Sequence, residues 1–262
     1  MNPPFASLLY GREPTHLYLV CHCLLVETEA GLVLVDAGLG RADLADPQRR
    51  LGSFIAGLLR PRLEMSDTAA DQVEALGYGL RDVRHIVVTH MDLDHIGGLS
   101  DFPDAKVHVF RKELDRARGQ RTMEDRRRYR PIQWAHGPDW VPCDARGEDW
   151  FGFRAVRALE GLPPEILLVP LHGHTHGHVG VAIDAGERWL LHCGDAYFHR
   201  DEIERDPPAC TPGLAFFQRA AAVDHKLRLH NRARLNALAR SEASVRLFSA
   251  HDPIEYVRLA DV

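Results

Sequence analysis

The sequence has few cysteines for its length, and it lacks the features that would assign it to a membrane or to nucleic acid. Five cysteines in 262 residues are an odd number in a long chain, so a disulfide framework is not expected. The N-terminus has no basic n-region, and no apolar run approaches the roughly 20 residues of a membrane span. The formal net charge of −5 provides no global basic field for a polyanion. A soluble cytoplasmic protein without a membrane or nucleic-acid partner is therefore expected.

What is present is an ordinary globular composition, with 45% hydrophobic and 26% charged residues. Groups of apolar, β-branched residues alternate with helical patterns, and no low-complexity linker separates them. The predicted strands are 16–27, 31–35, 86–88, 106–110, 153–159, 166–169, 178–183, 189–192 and 245–249. The predicted helices include 66–76, capped by Ser66 or Asp67, and 234–239. This pattern predicts one α/β domain over residues 1–262 with internal β-hairpins.

Two segments, 47–65 and 111–150, interrupt the alternation and are predicted to be lid or insert segments. In 47–65 one helical face carries Leu51, Phe54, Ile55, Leu58 and Leu59. This apolar face is explained equally well by a helix packed on the core and by a lid over a substrate pocket. A dimer interface is a further alternative, so a homodimer is left open. A helix lying on a membrane surface is less favoured.

The segment 111–150 carries no sustained strand pattern, and its first part is basic. Residues 111–130 hold nine Lys or Arg against four Asp or Glu, a net charge of about +5. The charge has two interpretations: attraction of an anionic substrate or nucleic acid, or a solvated helix with internal ion pairs such as Glu113 with Arg116. The second is favoured, because no nucleic-acid recognition motif accompanies the charge.

The most informative stretch is Thr89–Gly98, in which four metal-capable side chains fall within six residues. They are His90, Asp92, Asp94 and His95. They follow the apolar run 86–88 and precede a Gly-Gly pair, so a strand would feed a tight loop that aims several of them at one point. Imidazole nitrogen and carboxylate oxygen together suit zinc, manganese or iron.

Three further ligand-type residues follow predicted strands in order along the chain. His174 lies in Gly-His-Thr-His-Gly-His after strand 166–169, Asp195 follows strand 189–192, and His251 follows strand 245–249. Each alone is a weak signal, because a single histidine at such a place is more often a core or surface residue. Together with the 90–95 stretch they predict one metal site built at strand ends.

These ordered segments resemble the metallo-β-lactamase superfamily, whose H-x-H-x-D-H signature is matched here with Asp92 in place of the second histidine. Asp36 matches the family's early Asp-x-Gly element, whose carboxylate supports the site from behind. The resemblance implies an α/β fold, a four-layer αββα sandwich with the metal site at one edge of its two sheets. The neighbourhoods of the motifs look most like the N-acyl-homoserine lactonase branch.

The resemblance also implies a binuclear centre of two divalent ions. Carried over by position, His90, Asp92 and His174 would hold the first ion, Asp94, His95 and His251 the second, and Asp195 would bridge them. His178 would lie behind the ligands, and His172 and His176 would be loop residues. Zinc is the first expectation, with iron or manganese as alternatives because a carboxylate at Asp92 is a harder ligand than imidazole.

The implied reaction is hydrolysis by a hydroxide that the two ions share, with a small molecule as the substrate. No Ser or Cys nucleophile is required, and the sequence has no Gly-x-Ser-x-Gly elbow. Asp94 is the candidate proton donor to the leaving group. Tyr197 is a candidate hydrogen-bond donor to the oxyanion, and a packed aromatic is the equal alternative.

The expected substrate is a carboxylic ester, a lactone in the first place. The lactonase branch has a Tyr three residues after its bridging Asp, where this chain has Phe198 after Tyr197. A phosphodiesterase or nuclease that uses the basic 111–130 segment and a thioester hydrolase are the alternatives.

Overall fold

The computed structural model describes residues 18–53, 56–57, 60–144, 147–155 and 159–260, which fall into two compact units. The five-stranded unit comprises residues 23–144 and 159–163. The four-stranded unit comprises residues 1–22, 145–158 and 164–262. Each unit contains one main sheet and its own apolar core. The single domain over 1–262 stays a prediction.

The sheet of the five-stranded unit begins with a hairpin and continues with parallel strands. Its strands are β1 Leu24–Thr28, β2 Gly31–Val35, β3 Val83–Val87, β4 Lys106–Phe110 and β5 Asp139–Cys143, in the order β1-β2-β3-β4-β5. β1 and β2 are antiparallel, and every later pair is parallel. The near-continuous apolar sequence of β2 is typical of a strand that is buried on both faces, and β3 runs parallel to it. The carboxyl ends of β2 and β3 therefore meet at one edge of the sheet.

Short helices lie in the segments that connect the strands of this sheet. They are Arg41–Ala45, Pro47–Arg50, Ala69–Ala75, Leu93–Ile96, Arg111–Gly119 and Met123–Arg128, with 3-10 turns at Met65–Asp67, Leu80–Asp82, Gly97–Asp101 and Pro131–Trp134. The core between them is aliphatic and aromatic, and Ile86, Val107, Leu114 and Tyr129 are buried in it.

The four-stranded unit holds a mixed sheet and a small hairpin. The sheet contains β8 Ile166–Pro170, β9 Val179–Asp184, β10 Trp189–His192 and β11 Val245–Phe248 in the order β11-β10-β9-β8, and the hairpin pairs β6 Asp149–Trp150 with β7 Phe153–Arg154. The helices are Asp201–Glu204, Pro212–Ala221, His225–Ser241 and Pro253–Ala260. Only β10 and β11 run parallel, so the loops after both strands leave the same end of the sheet.

Several local predictions require correction. Residues 18–23 of the predicted strand 16–27 are not part of β1, which begins at Leu24, because Val20 and His22 donate backbone hydrogen bonds to His251 and Ala250 instead of extending β1. Residues 16 and 17 lie outside the described residues. Thr68, not Ser66 or Asp67, caps the helix Ala69–Ala75, accepting from the Asp71 N–H.

The predicted insert 111–150 contains a strand, β5, that sequence reasoning missed. Pro142 obscures it, because proline removes a backbone donor and is tolerated only in an edge strand such as this one. In segment 47–65, Leu51 is fully buried, and Phe54, Ile55, Leu58 and Leu59 lie outside the described residues. Of the helices in the described ranges, none is long and apolar enough to cross a membrane.

A buried histidine pair in the five-stranded sheet predicts acid sensitivity. The His85 Nδ1 lies 2.9 Å from the His108 Nε2, and His108 is fully buried. Burial, reinforced by the charge of His85, lowers the pKa of His108 from 6.5 to about 3. Because the folded pKa lies below the unfolded one, the stabilisation is present above about pH 6.5 and is lost as pH falls towards 3.

We expect His108→Gln to flatten this pH dependence, since glutamine stays neutral. Between pH 7 and pH 4.5 the wild-type chain should lose about 2 to 3 kcal/mol more of its unfolding free energy than the variant. Denaturant unfolding at both pH values measures the difference, with the exposed His230→Gln as control. Equal losses for wild type and His108→Gln would contradict the prediction.

Candidate metal centre

In the five-stranded unit, Asp36 organises the two histidines of the 90–95 stretch. The Asp36 carboxylate accepts from the Thr89 N–H at 2.7 Å and from the Thr89 hydroxyl at 2.8 Å. It also accepts from the His95 Nδ1 at 2.7 Å. Because the Thr89 hydroxyl proton is used on Asp36, the Thr89 oxygen accepts from the His90 Nδ1 at 3.0 Å. Both histidines thus carry their protons on Nδ1 and offer the lone pair of Nε2, the form that a metal requires.

The backbone around Asp36 is packed tightly against the Gly97-Gly98 pair. Asp36 itself has a φ of 56°, a left-handed conformation that is rare for a side chain other than glycine. Gly97 has an ordinary helical φ of −57°, so it is not needed for a turn. A Cβ on Gly97 would instead lie 2.0 Å from the Asp43 carboxylate, and one on Gly98 would lie 2.3 Å from the Ala37 carbonyl. The glycine pair is required for close approach.

The two carboxylates of the 90–95 stretch have different surroundings. Asp94 lies in the first turn of the short helix Leu93–Ile96, and its Oδ2 lies 4.0 Å from the His95 Nε2. Asp92 immediately precedes that helix, and its Oδ2 lies 3.3 Å from the His90 Nε2. Both oxygens of Asp92 also accept from Arg128, with Nε–Oδ1 at 2.5 Å and Nη2–Oδ2 at 2.7 Å.

In the four-stranded unit, the loop after β8 holds His174 against the start of the helix His225–Ser241. The Gly173 carbonyl accepts from the Asp224 N–H at 2.9 Å, and the His174 carbonyl accepts from the Val223 N–H at 3.1 Å. Gly173 has a φ of 135°, and a Cβ there would lie 2.4 Å from the Arg228 backbone nitrogen. The glycine before His174 is thus required both for its conformation and for space.

Asp195 lies between two histidines of the same unit. Its Oδ2 is 3.3 Å from the His174 Nε2, and its carboxylate is 3.1 Å from the His251 Nε2. The His251 Nδ1 donates to the Val20 carbonyl at 2.7 Å, which leaves the lone pair on Nε2 when the ring is neutral. A carboxylate and a ring lone pair that face each other at this distance require a proton or a cation between them. This donor set fits a divalent cation.

His178 supports Asp195 from the backbone side. Its Nδ1 donates to the Leu171 carbonyl at 3.0 Å, and its Nε2 accepts from the Asp195 N–H at 2.9 Å. The ring therefore joins the end of β8 to the loop after β10, and it acts on Asp195 through the main chain.

Tyr197 is part of the core of this unit. Its side chain is fully buried, and its hydroxyl donates to the Glu255 Oε1 at 2.9 Å. The Glu255 carboxylate also accepts from the Ser249 N–H at 2.8 Å, and burial raises the pKa of Glu255 to about 8. Phe198 stacks on the His251 ring with centroids 4.6 Å apart. This arrangement favours the packed aromatic that was the alternative interpretation of Tyr197.

The described residues thus form two groups of candidate metal ligands, one in each unit, which are called the ligand sets below. The set of the five-stranded unit contains His90, Asp92, Asp94 and His95, and the set of the four-stranded unit contains His174, Asp195 and His251. Nitrogen and carboxylate oxygen donors of this kind suit zinc, iron or manganese.

Sequence reasoning missed three partners of these sets. Thr89 orients His90, Glu255 anchors the loop before His251, and Arg128 pairs with Asp92. The basic character of 111–130 was visible, but no spacing in the sequence connects Arg128 to a residue 36 positions earlier.

The strand-end ligand sets and the two α/β units define a protein of the metallo-hydrolase class. Residues 18–251 match the model of the metallo-β-lactamase superfamily, so the chain belongs to that superfamily. The predicted α/β fold of this family is confirmed, and so is the resemblance on which it was based.

Relatives agree with this assignment. A probable metallo-hydrolase of Mycobacterium tuberculosis is 47% identical over 239 residues, which are 90% of this chain and 72% of that protein. An N-acyl homoserine lactonase of a Bacillus species is 23% identical over 88% of this chain and 80% of its own length. The solved structure of an N-acyl homoserine lactone hydrolase, with the product N-hexanoyl-L-homoserine at its catalytic metal centre, matches with a TM-score of 0.69 at 22% identity, covering 96% of this chain and 90% of that one. The fold is therefore shared with lactone hydrolases.

Proposed function

We propose that this metallo-hydrolase opens a carboxylic ester, and a lactone in particular, with two divalent metal ions. The observation that carries the proposal is the Asp195 carboxylate, which faces the Nε2 atoms of both His174 and His251. The lactone is supported by the N-acyl homoserine lactonases among the relatives.

The ligands of the proposed centre are those of the sequence prediction. His90, Asp92 and His174 would hold one ion, Asp94, His95 and His251 the other, and Asp195 both. When bound, such ions lower the pKa of a shared water and polarise the carbonyl of the substrate. Zinc is the proposed metal, and iron or manganese are the alternatives.

The roles of the protein's own residues follow from their contacts. Asp36 and Thr89 keep the protons of His90 and His95 on Nδ1, so that both Nε2 atoms are available to a metal. His178 holds the Asp195 backbone in place. Asp94, half-buried beside His95, is the proposed donor of a proton to the leaving oxygen.

The phosphodiesterase alternative is disfavoured by the way the basic segment 111–130 uses its charges. Arg128 pairs with Asp92, and Arg116 pairs with Asp125 at 3.0 Å. Part of the local positive charge is therefore compensated within the protein, which lowers its attraction for a polyanion. Arg126 and Arg127 are exposed.

Metal analysis followed by a substrate screen tests the proposal. We expect purified protein to retain divalent metal and to show its highest kcat/KM on a lactone, when lactones, thioesters, β-lactams and bis-nitrophenyl phosphate are compared. Arg126→Glu with Arg127→Glu should leave lactone turnover unchanged, since neither residue contacts the ligand sets.

The opposite pattern would replace the lactone by a phosphodiester. In that case wild type would turn over bis-nitrophenyl phosphate faster than every lactone tried. The Arg126→Glu, Arg127→Glu double variant would lose this phosphodiesterase activity and keep its activity on lactones. Protein that binds no divalent metal would refute the metal-dependent mechanism as a whole.

A further inference from the structure

Arg128 pairs with Asp92, the residue at which this chain departs from the superfamily signature. Its Nε and Nη2 donate to the two oxygens of Asp92 at 2.5 and 2.7 Å, a bidentate geometry. Each side chain of the pair is 18% exposed, so solvent weakens the pair less than it would on an open surface. A histidine at position 92 would not form such a pair.

The helix Met123–Arg128 is anchored so that Arg128 stays at this place. At its N-terminus Thr122 and Asp125 form a reciprocal capping box, and Asp125 also accepts from Arg116 at 3.0 Å. Just beyond the C-terminus, the Tyr129 carbonyl accepts from the Gln120 side chain at 3.0 Å. Both ends of the short helix are therefore fixed by side-chain contacts.

A second link joins the same segment to the loop that contains Asp92. The buried Tyr129 hydroxyl donates to the Glu113 Oε1 at 3.0 Å, and the same oxygen accepts from the Met91 N–H at 3.1 Å. Glu113 is fully buried. Tyr129 follows Arg128 in the sequence, and Met91 precedes Asp92. Because Tyr129 and Met91 are hydrogen-bonded to the same Glu113 oxygen, the segments that contain Arg128 and Asp92 are joined a second time.

The opposite charges and the two hydrogen bonds of the Arg128–Asp92 pair oppose the free-energy cost of removing both side chains from water. A guanidinium stays protonated in proteins, and this one donates one hydrogen bond to each oxygen of the Asp92 carboxylate. Arg128 is therefore a permanent cation on the Asp92 carboxylate. A metal ion that uses Asp92 has to displace or share this cation.

We propose that Arg128 is a positioning residue that competes with metal for Asp92 and makes the two metal positions of this chain unequal. This inference rests on the proposed function, in which these residues bind divalent metal. The position that includes Asp92 is the weak one, and the chain keeps one ion tightly and a second only at higher metal concentration.

Metal-binding measurements on the full chain test this inference without reference to turnover. Metal-free protein is titrated with Co²⁺, followed by its visible absorption and by calorimetry, and metal content is measured after gel filtration. We expect wild type to retain one ion per chain and to bind the second at least about tenfold more weakly. Arg128→Gln should strengthen the weak step by about tenfold or more, because the metal no longer has to displace a charged hydrogen-bond partner from Asp92.

Two further variants separate the ion pair from general charge. Arg127→Gln removes an exposed positive charge from the same helix and should leave both binding steps unchanged. Arg128→Lys keeps the charge but loses the bidentate geometry, so it should strengthen the weak step less than Arg128→Gln does. If Arg128→Gln does not fold, Arg128→Lys and the wild-type titration decide.

Two equal binding steps in wild type, or an unchanged weak step in a folded Arg128→Gln or Arg128→Lys variant, would overturn the inference and leave the proposed function intact. Wild type that binds no divalent metal at all would overturn both.

Discussion

Replacement of Asp195 by alanine is expected to abolish hydrolysis while the fold persists. The carboxylate lies 3.3 Å from the His174 Nε2 and 3.1 Å from the His251 Nε2, so its removal takes away the group that both histidines share. The fold should survive, because the Asp195 N–H still donates to His178 and the strands on either side are unchanged. The loss of kcat/KM should exceed the roughly 10–100-fold typical of a group that only supports a ligand.

Steady-state kinetics, metal content and thermal unfolding of Asp195→Ala measure this effect. Asp184→Ala is the matched control, because Asp184 is a carboxylate at the end of β9 whose Oδ1 accepts only a local turn N–H among the bonds described. It should keep wild-type activity. If Asp195→Ala retained wild-type turnover with unchanged metal content, Asp195 would not be a shared ligand.

His174→Ala is expected to remove more activity and more metal than His178→Ala. His174 presents its Nε2 to the Asp195 carboxylate, whereas His178 contacts Asp195 only through the backbone N–H among the bonds described. Loss of His178 should let the loop after β10 shift, which lowers metal affinity or activity by about 10–100-fold. Loss of His174 removes a donor atom outright.

Metal affinity and kcat/KM of both variants provide the comparison. His176→Ala is the control, because it lies in the same loop and is assigned no role; it should behave like wild type. Complete and equal loss of metal from His174→Ala and His178→Ala would mean that the two histidines have been assigned to the wrong positions.

The ligand types and their order along the chain were accessible from the sequence because they are local features. Four side chains within six residues after an apolar run, and single residues after three later runs, need only the strand boundaries to be recognised. β4 and β10 have the predicted bounds, since a short apolar strand flanked by polar residues is decided by its own sequence.

The failures share a different cause. β5 was missed because its stability depends on an edge position beside β4, which tolerates Pro142 and which no window of sequence displays. The first strand was predicted too long because residues 20 and 22 form hydrogen bonds with residues 250 and 251, more than 200 positions away. Tyr197 had two equal interpretations until its burial against Glu255 became visible.

The sequence by itself determined the family and the α/β class and predicted the candidate donor residues, because these depend on residue type, spacing and strand ends. Only the tertiary structure decided what each donor faces. It brings Asp36 to Thr89 across 53 positions, and Arg128 to Asp92 across 36. Those contacts set the proton positions of His90 and His95 and the charge beside Asp92. They are hydrogen bonds between distant segments, whose geometry is defined only when the sheet and its helices have packed.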